Sequence, residues 1–226
     1  MKVNEIFKGI QGESSFTGLP CTFIRLTGCN LRCSYCDTTY AFYEGIDMGV
    51  ENIIREVIKL DSPESRQRFV EITGGEPLLQ EEVYPLTKGL LDLGYTVLLE
   101  TNGSLDIEGL DSRVIRIMDL KTPGSGMSDK MDFKNIENLK VRDEVKFVIS
   151  NRKDYEWSKE ILKEYRFLPC IILFSTVHGI LDPGILSKWI LQDALSVRLN
   201  FQLHKYLWGE KEFRILSSVF KVNTTK

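Results

Sequence analysis

The sequence predicts an α/β fold, a partial (incomplete) TIM-like (β/α) barrel. Three observations predict it. Short apolar runs of strand character alternate with helix-like stretches, and such alternation builds a parallel sheet, either doubly wound or closed into a barrel. The chain has 226 residues, short of the about 250 of a complete eight-unit barrel. One interval between strands is too short to hold a crossover helix.

The strand-like runs are residues 21–27, 69–73, 96–101, 114–120, 145–150, 170–175 and 197–201, rich in Val, Ile, Leu, Phe and Thr. Their composition is that of strands covered on both faces. The helix-like stretches are 50–60, 81–93, 153–165 and 183–195. Asp182-Pro183 is a helix start with Asp as cap and Pro in the first turn, and Asp154 is expected to do similar work. The short interval follows the fourth run, where Lys121 to Met127 is rich in Gly, Ser and Pro. Residues 5–14 carry too little period for a long helix, and Gly9 and Gly12 read as loop. No repeat or linker divides the chain, so a single domain spanning 1–226 with short terminal extensions is expected. In such folds, chemistry gathers at the C-terminal ends of the strands.

Hydrophobic residues are 42% and charged residues 27% of the chain, the mix of a globular enzyme or binding domain and not of a disordered one. No apolar run reaches the roughly 18 residues of a membrane span, and the first residues lack the apolar centre of a signal peptide. A cytoplasmic protein is expected. The net charge of −3 argues against nucleic-acid binding, although a local basic pocket for a small anion is compatible with it.

Three of the five cysteines, Cys29, Cys33 and Cys36, lie within eight residues, directly after the first strand. In a reducing compartment such a trio points to a metal or cluster. A structural zinc ion needs a fourth ligand, and the two histidines, His178 and His204, are distant in sequence. A 4Fe-4S cluster held by three thiolates keeps one iron open. Three ordinary buried cysteines, or zinc completed by a remote residue, are the competing readings. Cys21 and Cys170 read as core thiols, and Trp157, Trp189 and Trp208 as packing or dimer-interface residues. His178 reads equally as a rim residue of the site or as a loop histidine.

The CxxxCxxC spacing, with Tyr35 before the last cysteine, resembles the signature of the radical S-adenosylmethionine (SAM) enzymes. Thr73-Gly74-Gly75-Glu76-Pro77 is similar to that superfamily's GGEP motif. The resemblance implies a barrel of the radical SAM type and a cluster whose open iron chelates SAM. A deoxyadenosyl radical formed from SAM then abstracts hydrogen from substrate. It also implies SAM contacts at Gly75, Asp119, Leu120 and Lys121. A solvated loop lysine is the competing reading of Lys121.

Two further residues narrow the reading. Arg25 is a charge in an apolar strand, and a buried guanidinium needs a carboxylate, from substrate or from the protein itself. Thr38 follows Cys36-Asp37 and is either a turn residue or one oxygen ligand of Mg²⁺. Together, EIFxxIQGE, FIRLTGCNLRCxYCDT, TGGEP, ETNG and QLHKY resemble the 7-carboxy-7-deazaguanine synthase family over residues 5–206.

That resemblance implies a lyase that contracts 6-carboxy-5,6,7,8-tetrahydropterin to 7-carboxy-7-deazaguanine, with loss of ammonia, in 7-deazapurine and queuosine biosynthesis. The implied cofactors are one 4Fe-4S cluster per subunit, SAM and Mg²⁺. The implied partners are an electron donor such as flavodoxin or ferredoxin and a second subunit in a homodimer. Carried over by motif, Ile10, Gln11, Gly12, Arg25 and Thr73 contact substrate, Cys29, Cys33 and Cys36 hold the cluster, and Thr38 holds Mg²⁺. A radical SAM activase that installs a glycyl radical on a partner protein is the alternative.

Overall fold

The computed structural model describes residues 1–61, 68–165, 170–208 and 216–219. One ten-stranded sheet runs through them. Its strands are β1 (Lys2–Ile10), β2 (Pro20–Leu26), β3 (Ile46–Asp47), β4 (Phe69–Gly74), β5 (Thr96–Thr101), β6 (Ile115–Leu120), β7 (Glu144–Ile149), β8 (Ile171–Thr176), β9 (Arg198–Asn200) and β10 (Leu216–Val219). The order is β10-β1-β2-β4-β5-β6-β7-β8-β9, with β3 paired to β1. From β2 to β9 every pairing is parallel, and β1 is antiparallel to β2, β3 and β10. The sheet stays open, as the partial barrel requires.

All seven sequence-read strands are present, within a few residues at their ends. The loop expected over residues 5–14 is corrected: Lys2–Ile10 is a strand, and only the residues after it form a loop. The register of β1 against β2 shifts between Val3 and Glu5. That bulge breaks the alternation of period two by which a strand is recognised.

Four of the helices are the expected ones: α1 (Val50–Leu60), α2 (Val83–Asp92), α3 (Arg152–Glu164) and α4 (Pro183–Gln192), followed by the short α5 (Leu203–Trp208). Helix α1 buries Ile53 and Val57, four residues apart on one face. Asp182 caps α4 by accepting from Gly184 N at 2.7 Å, with Pro183 in the first turn. The expectation for Asp154 is corrected. Asn151 caps α3 by accepting from Lys153 N and Asp154 N. The Asp154 carboxylate instead accepts from Gly124 N at 2.7 Å and Ser150 N at 2.9 Å, tying two loops together.

After β6 there is no crossover helix, only 3₁₀ turns at Pro123–Ser125, Ser128–Lys130 and Phe133–Asn138. The main core lies between the outer face of the sheet and the helices, and includes Ile24, Ile72, Leu99, Met118, Phe147 and Phe174. Trp157, Trp189 and Cys170 pack against it, and Cys21 is fully buried. The side chain of Trp208 and most of the tail after it lie outside the described residues. Among the described residues, no helix is long and apolar enough to cross a membrane.

Candidate active site

The inner face of the sheet carries a different chemistry. Alternate strand residues point inward: Glu5, Phe7 and Gly9 on β1, Phe23 and Arg25 on β2, Glu71 and Thr73 on β4, Ile117 and Asp119 on β6, and Lys146 and Val148 on β7. With Glu100 of β5 they line a cavity of about 640 Å³. Below it, Leu98, Ile115 and Ile117 pack with Phe16, and Phe16 meets Phe69 at 5.6 Å between ring centroids. The lumen is therefore plugged by apolar side chains at the bottom and charged in the middle. These strands are not apolar on both faces, as their composition suggested.

The cysteine loop forms the mouth. Cys29, Cys33 and Cys36 are half-buried free thiols lining the cavity. Ser34 Oγ donates to Gly124 O at 2.7 Å, and Tyr35 Oη donates to Val148 O at 3.3 Å, so the loop is tied to the turn after β6 and to the end of β7. Leu31 N lies 3.4 Å and Asn102 Nδ2 3.9 Å from Cys29 Sγ, two N–H donors suited to a thiolate. Burial pushes the Cys29 and Cys33 thiols up from their ordinary value, the cost that bonding to iron would offset. Among the described residues, no group of His, Cys, Asp and Glu side chains closes on a single metal ion. A cluster does not require such convergence, because each thiolate binds a separate iron.

The GGEP segment supports this mouth from below. A Cβ on Gly75 would lie 2.0 Å from Gly28 O and 2.8 Å from Cys29 Cβ, and one on Gly74, at φ +150°, would lie 2.2 Å from Leu26 O. The two glycines thus let the ends of β2 and β4 touch. Glu76, fully buried, accepts from Leu78 N, Thr101 Oγ1 and Asn102 N at 2.6–3.0 Å.

Charges inside the lumen are mostly paired. Arg25 Nε donates to Glu5 Oε1 at 2.7 Å, and its guanidinium lies 5.7 Å from the Tyr40 ring centroid. The structure therefore supplies the protein carboxylate weighed above while also placing Arg25 on the cavity wall. Lys146 meets Glu13 at 2.8 Å, Glu100, and Asp119 at 3.5 Å. Lys121 meets Asp119 Oδ2 at 2.8 Å. Burial works against both ammonium groups, and their carboxylate partners outweigh it, so both lysines stay protonated. Asp119 Oδ1 is buried without a hydrogen-bond partner among the described residues. Glu71 differs from these groups: burial, then Glu100 and Glu13, push its carboxyl up to about 8.

The segment from Gln202 onward closes one side. Leu203 N donates to Gly12 O at 2.8 Å, Gln202 Nε2 to Glu13 Oε1 at 3.0 Å, and Lys205 lies 3.3 Å from Asp37. A Cβ on Gly12 would lie 2.2 Å from His204 Nδ1, so only glycine admits this packing. Burial acts to raise the Asp37 carboxyl, but Lys205 holds it below the usual range.

Of the residues singled out in the sequence, Ile10, Gln11, Gly12, Arg25, Cys29, Cys33, Cys36, Thr38, Thr73, Gly75, Asp119 and Lys121 all line this one cavity, as do His178 and His204. Leu120 does not: its side chain is fully buried in the core, which leaves its backbone for any contact. Sequence reasoning missed Glu71, Glu100 and Lys146. Their signal was present as single charges inside apolar runs, the signal that marked Arg25.

The radical SAM superfamily profile matches residues 23–168. A 7-carboxy-7-deazaguanine synthase from Koribacter versatilis is 42% identical over 223 residues, covering 92% of this chain and 97% of the relative. One from Chlorobaculum tepidum is 43% identical, covering 92% and 94%. Among solved structures, QueE from Escherichia coli shares the fold with a TM-score of 0.73 at 23% identity, covering 90% of this chain and 94% of that one.

Proposed function

The chain belongs to the radical SAM superfamily and, within it, to the 7-carboxy-7-deazaguanine synthase family, and from that premise we propose how its own residues divide the work. It is a radical SAM lyase with a 4Fe-4S cluster and SAM as cofactors. Its reaction contracts 6-carboxy-5,6,7,8-tetrahydropterin to 7-carboxy-7-deazaguanine with loss of ammonia. When bound, the cluster and SAM supply hydrogen-atom abstraction, and the protein supplies binding, orientation and exclusion of water.

Cys29, Cys33 and Cys36 hold the cluster. Gly75, Asp119, the Leu120 backbone and Lys121, at the ends of β4 and β6, would hold SAM beside the cysteine loop. The unpartnered Asp119 Oδ1 fits a donor on that ligand, because a buried acceptor left empty is costly. Substrate lies deeper, against Ile10, Gln11, Gly12 and Thr73. Arg25 keeps Nε on Glu5 and turns its terminal nitrogens to the substrate carboxylate, since a guanidinium fork serves two acceptors. Protonated Lys146 holds Glu13 and Glu100 at fixed positions beside the ring, and, although burial opposes it, its charge keeps the Glu100 carboxyl below its ordinary value.

Thr38 Oγ1, at the cavity wall, would supply one oxygen ligand to Mg²⁺, an ion that keeps waters and accepts substrate oxygens and would orient the substrate there. An electron donor such as flavodoxin or ferredoxin, a homodimer and a cytoplasmic location complete the proposal. One observation carries it: three thiols, an unpartnered aspartate oxygen and an arginine line the same cavity. The test is anaerobic reconstitution with iron and sulfide, then SAM, dithionite and the carboxylated tetrahydropterin, with product followed by mass spectrometry. Product of the deazaguanine mass is expected. A brown, SAM-cleaving protein that leaves the pterin unchanged would overturn the substrate reading in favour of an activase.

A further inference from the structure

Among the described residues, Glu71 is the one lumen carboxylate without a cation in ion-pair contact. Arg25 pairs Glu5, Lys146 pairs Glu13 and Glu100, and Lys121 pairs Asp119. Glu71 instead meets the neutral amide of Gln11, whose other end accepts from Glu13 N at 3.0 Å. It is 5% exposed, yet it lines the cavity. Burying an acid this way is costly and calls for a ligand with donors.

The surroundings say what kind of donor. In the parallel pairing Glu71 lies opposite Phe23, and Phe23 stacks on Phe7 with centroids 4.9 Å apart and planes 13° apart. Both rings line the cavity, a flat wall beside an acid. Arg25 lies opposite Thr73, two residues further along. At roughly 3.3 Å per residue that is about 6.6 Å, on the scale of a bicyclic ring. Acid and aromatic wall thus share one level near the floor, and the guanidinium lies one step nearer the mouth.

We propose that Glu71 is a specificity-determining residue that accepts hydrogen bonds from the N3–H and 2-amino edge of the pterin, while Arg25 holds the carboxylate at the other end. Two parallel N–H donors match the two oxygens of a carboxylate. This rests on the pterin reading given above. It adds a polarity to it, with the amino edge at the apolar floor and the carboxylate towards the mouth.

The test uses the cluster-loaded, SAM-bound protein and two probes, the carboxylated tetrahydropterin and the same compound lacking the 2-amino group. Wild type is expected to bind the first more tightly by at least about tenfold. In Glu71→Gln that preference should fall to near unity. A merely structural role would weaken both probes alike and leave the ratio unchanged, which would overturn the proposal.

Wild type alone gives a second readout, should the variant fail to fold. Glu71 faces Gln11 and Glu13 from the loop after β1, Cys21 from β2, Glu100 from β5 and Lys146 from β7. Donors favour its ionised form, so the preference should widen as pH rises towards about 8 and then level off. A preference constant with pH would count against the assignment. Product formation by wild type separates the two claims. If the pterin is not converted, the substrate reading fails and this inference with it. If it is converted but the preference survives Glu71→Gln, only this inference fails.

Discussion

The two faces of one sheet have opposite chemistry, although they are built from the same strands. On β7, Phe147 points outward to Trp157 and Phe174, while Lys146 beside it points into a ring of carboxylates. On β4, Ile72 belongs to the core and Glu71 and Thr73 to the cavity. Strand geometry makes this possible, because successive side chains leave on opposite sides. The outer face holds the fold together, and the inner face is free to carry binding groups. Substitutions should therefore separate into those that change stability and those that change chemistry.

The largest effect is expected at the mouth of the inner face. Cys33→Ala should lose the intact cluster and essentially all SAM cleavage, while the sheet still folds. Iron and sulfide analysis after anaerobic reconstitution checks this, and a full cluster with SAM cleavage retained would sink the assignment. On the outer face, Phe147→Ala should cost about 3–5 kcal/mol of stability, as large-to-small changes in a packed core do. Urea unfolding measures it, and the folded fraction should still cleave SAM. A smaller, selective effect is expected at Thr38. Thr38→Ala should lose most of the Mg²⁺ stimulation of turnover and keep the cluster, and Thr38→Ser should retain much of the stimulation. Parallel Mg²⁺ titrations of wild type and Thr38→Ala would reduce Thr38 to a turn residue.

The same contrast explains what was legible beforehand. The seven parallel strands were readable because runs such as Ile115–Leu120 are dense in apolar and β-branched residues. The cysteine loop and GGEP were readable because their cysteines and glycines are close in sequence. Strand β1 was not, since a bulge after Val3 moves both Val3 and Ile6 to the core and Glu5 and Phe7 to the cavity. Asp154 was misjudged because an acid near a helix start looks the same whether it caps that helix or reaches a neighbouring loop. The inner charges were passed over one at a time. Glu71, Glu100 and Lys146 each look like a lone polar residue in a buried strand, and only the register of β2, β4, β5 and β7 makes them neighbours.

The claim that the inner face is the pterin site is tested most directly at Arg25, where one residue serves both an ion pair and the cavity wall. The measurement is the affinity of the cluster-loaded, SAM-bound protein for the carboxylated tetrahydropterin, in wild type and Arg25→Lys, with melting temperature taken in parallel. Lysine keeps the charge and the reach to Glu5 but loses the fork. The account predicts a loss of about 1.5–3 kcal/mol in binding, the range of a charge-assisted hydrogen bond, with little change in melting. Unchanged affinity in a folded Arg25→Lys protein would show that the arginine serves only Glu5, and would contradict the assignment of this face to substrate.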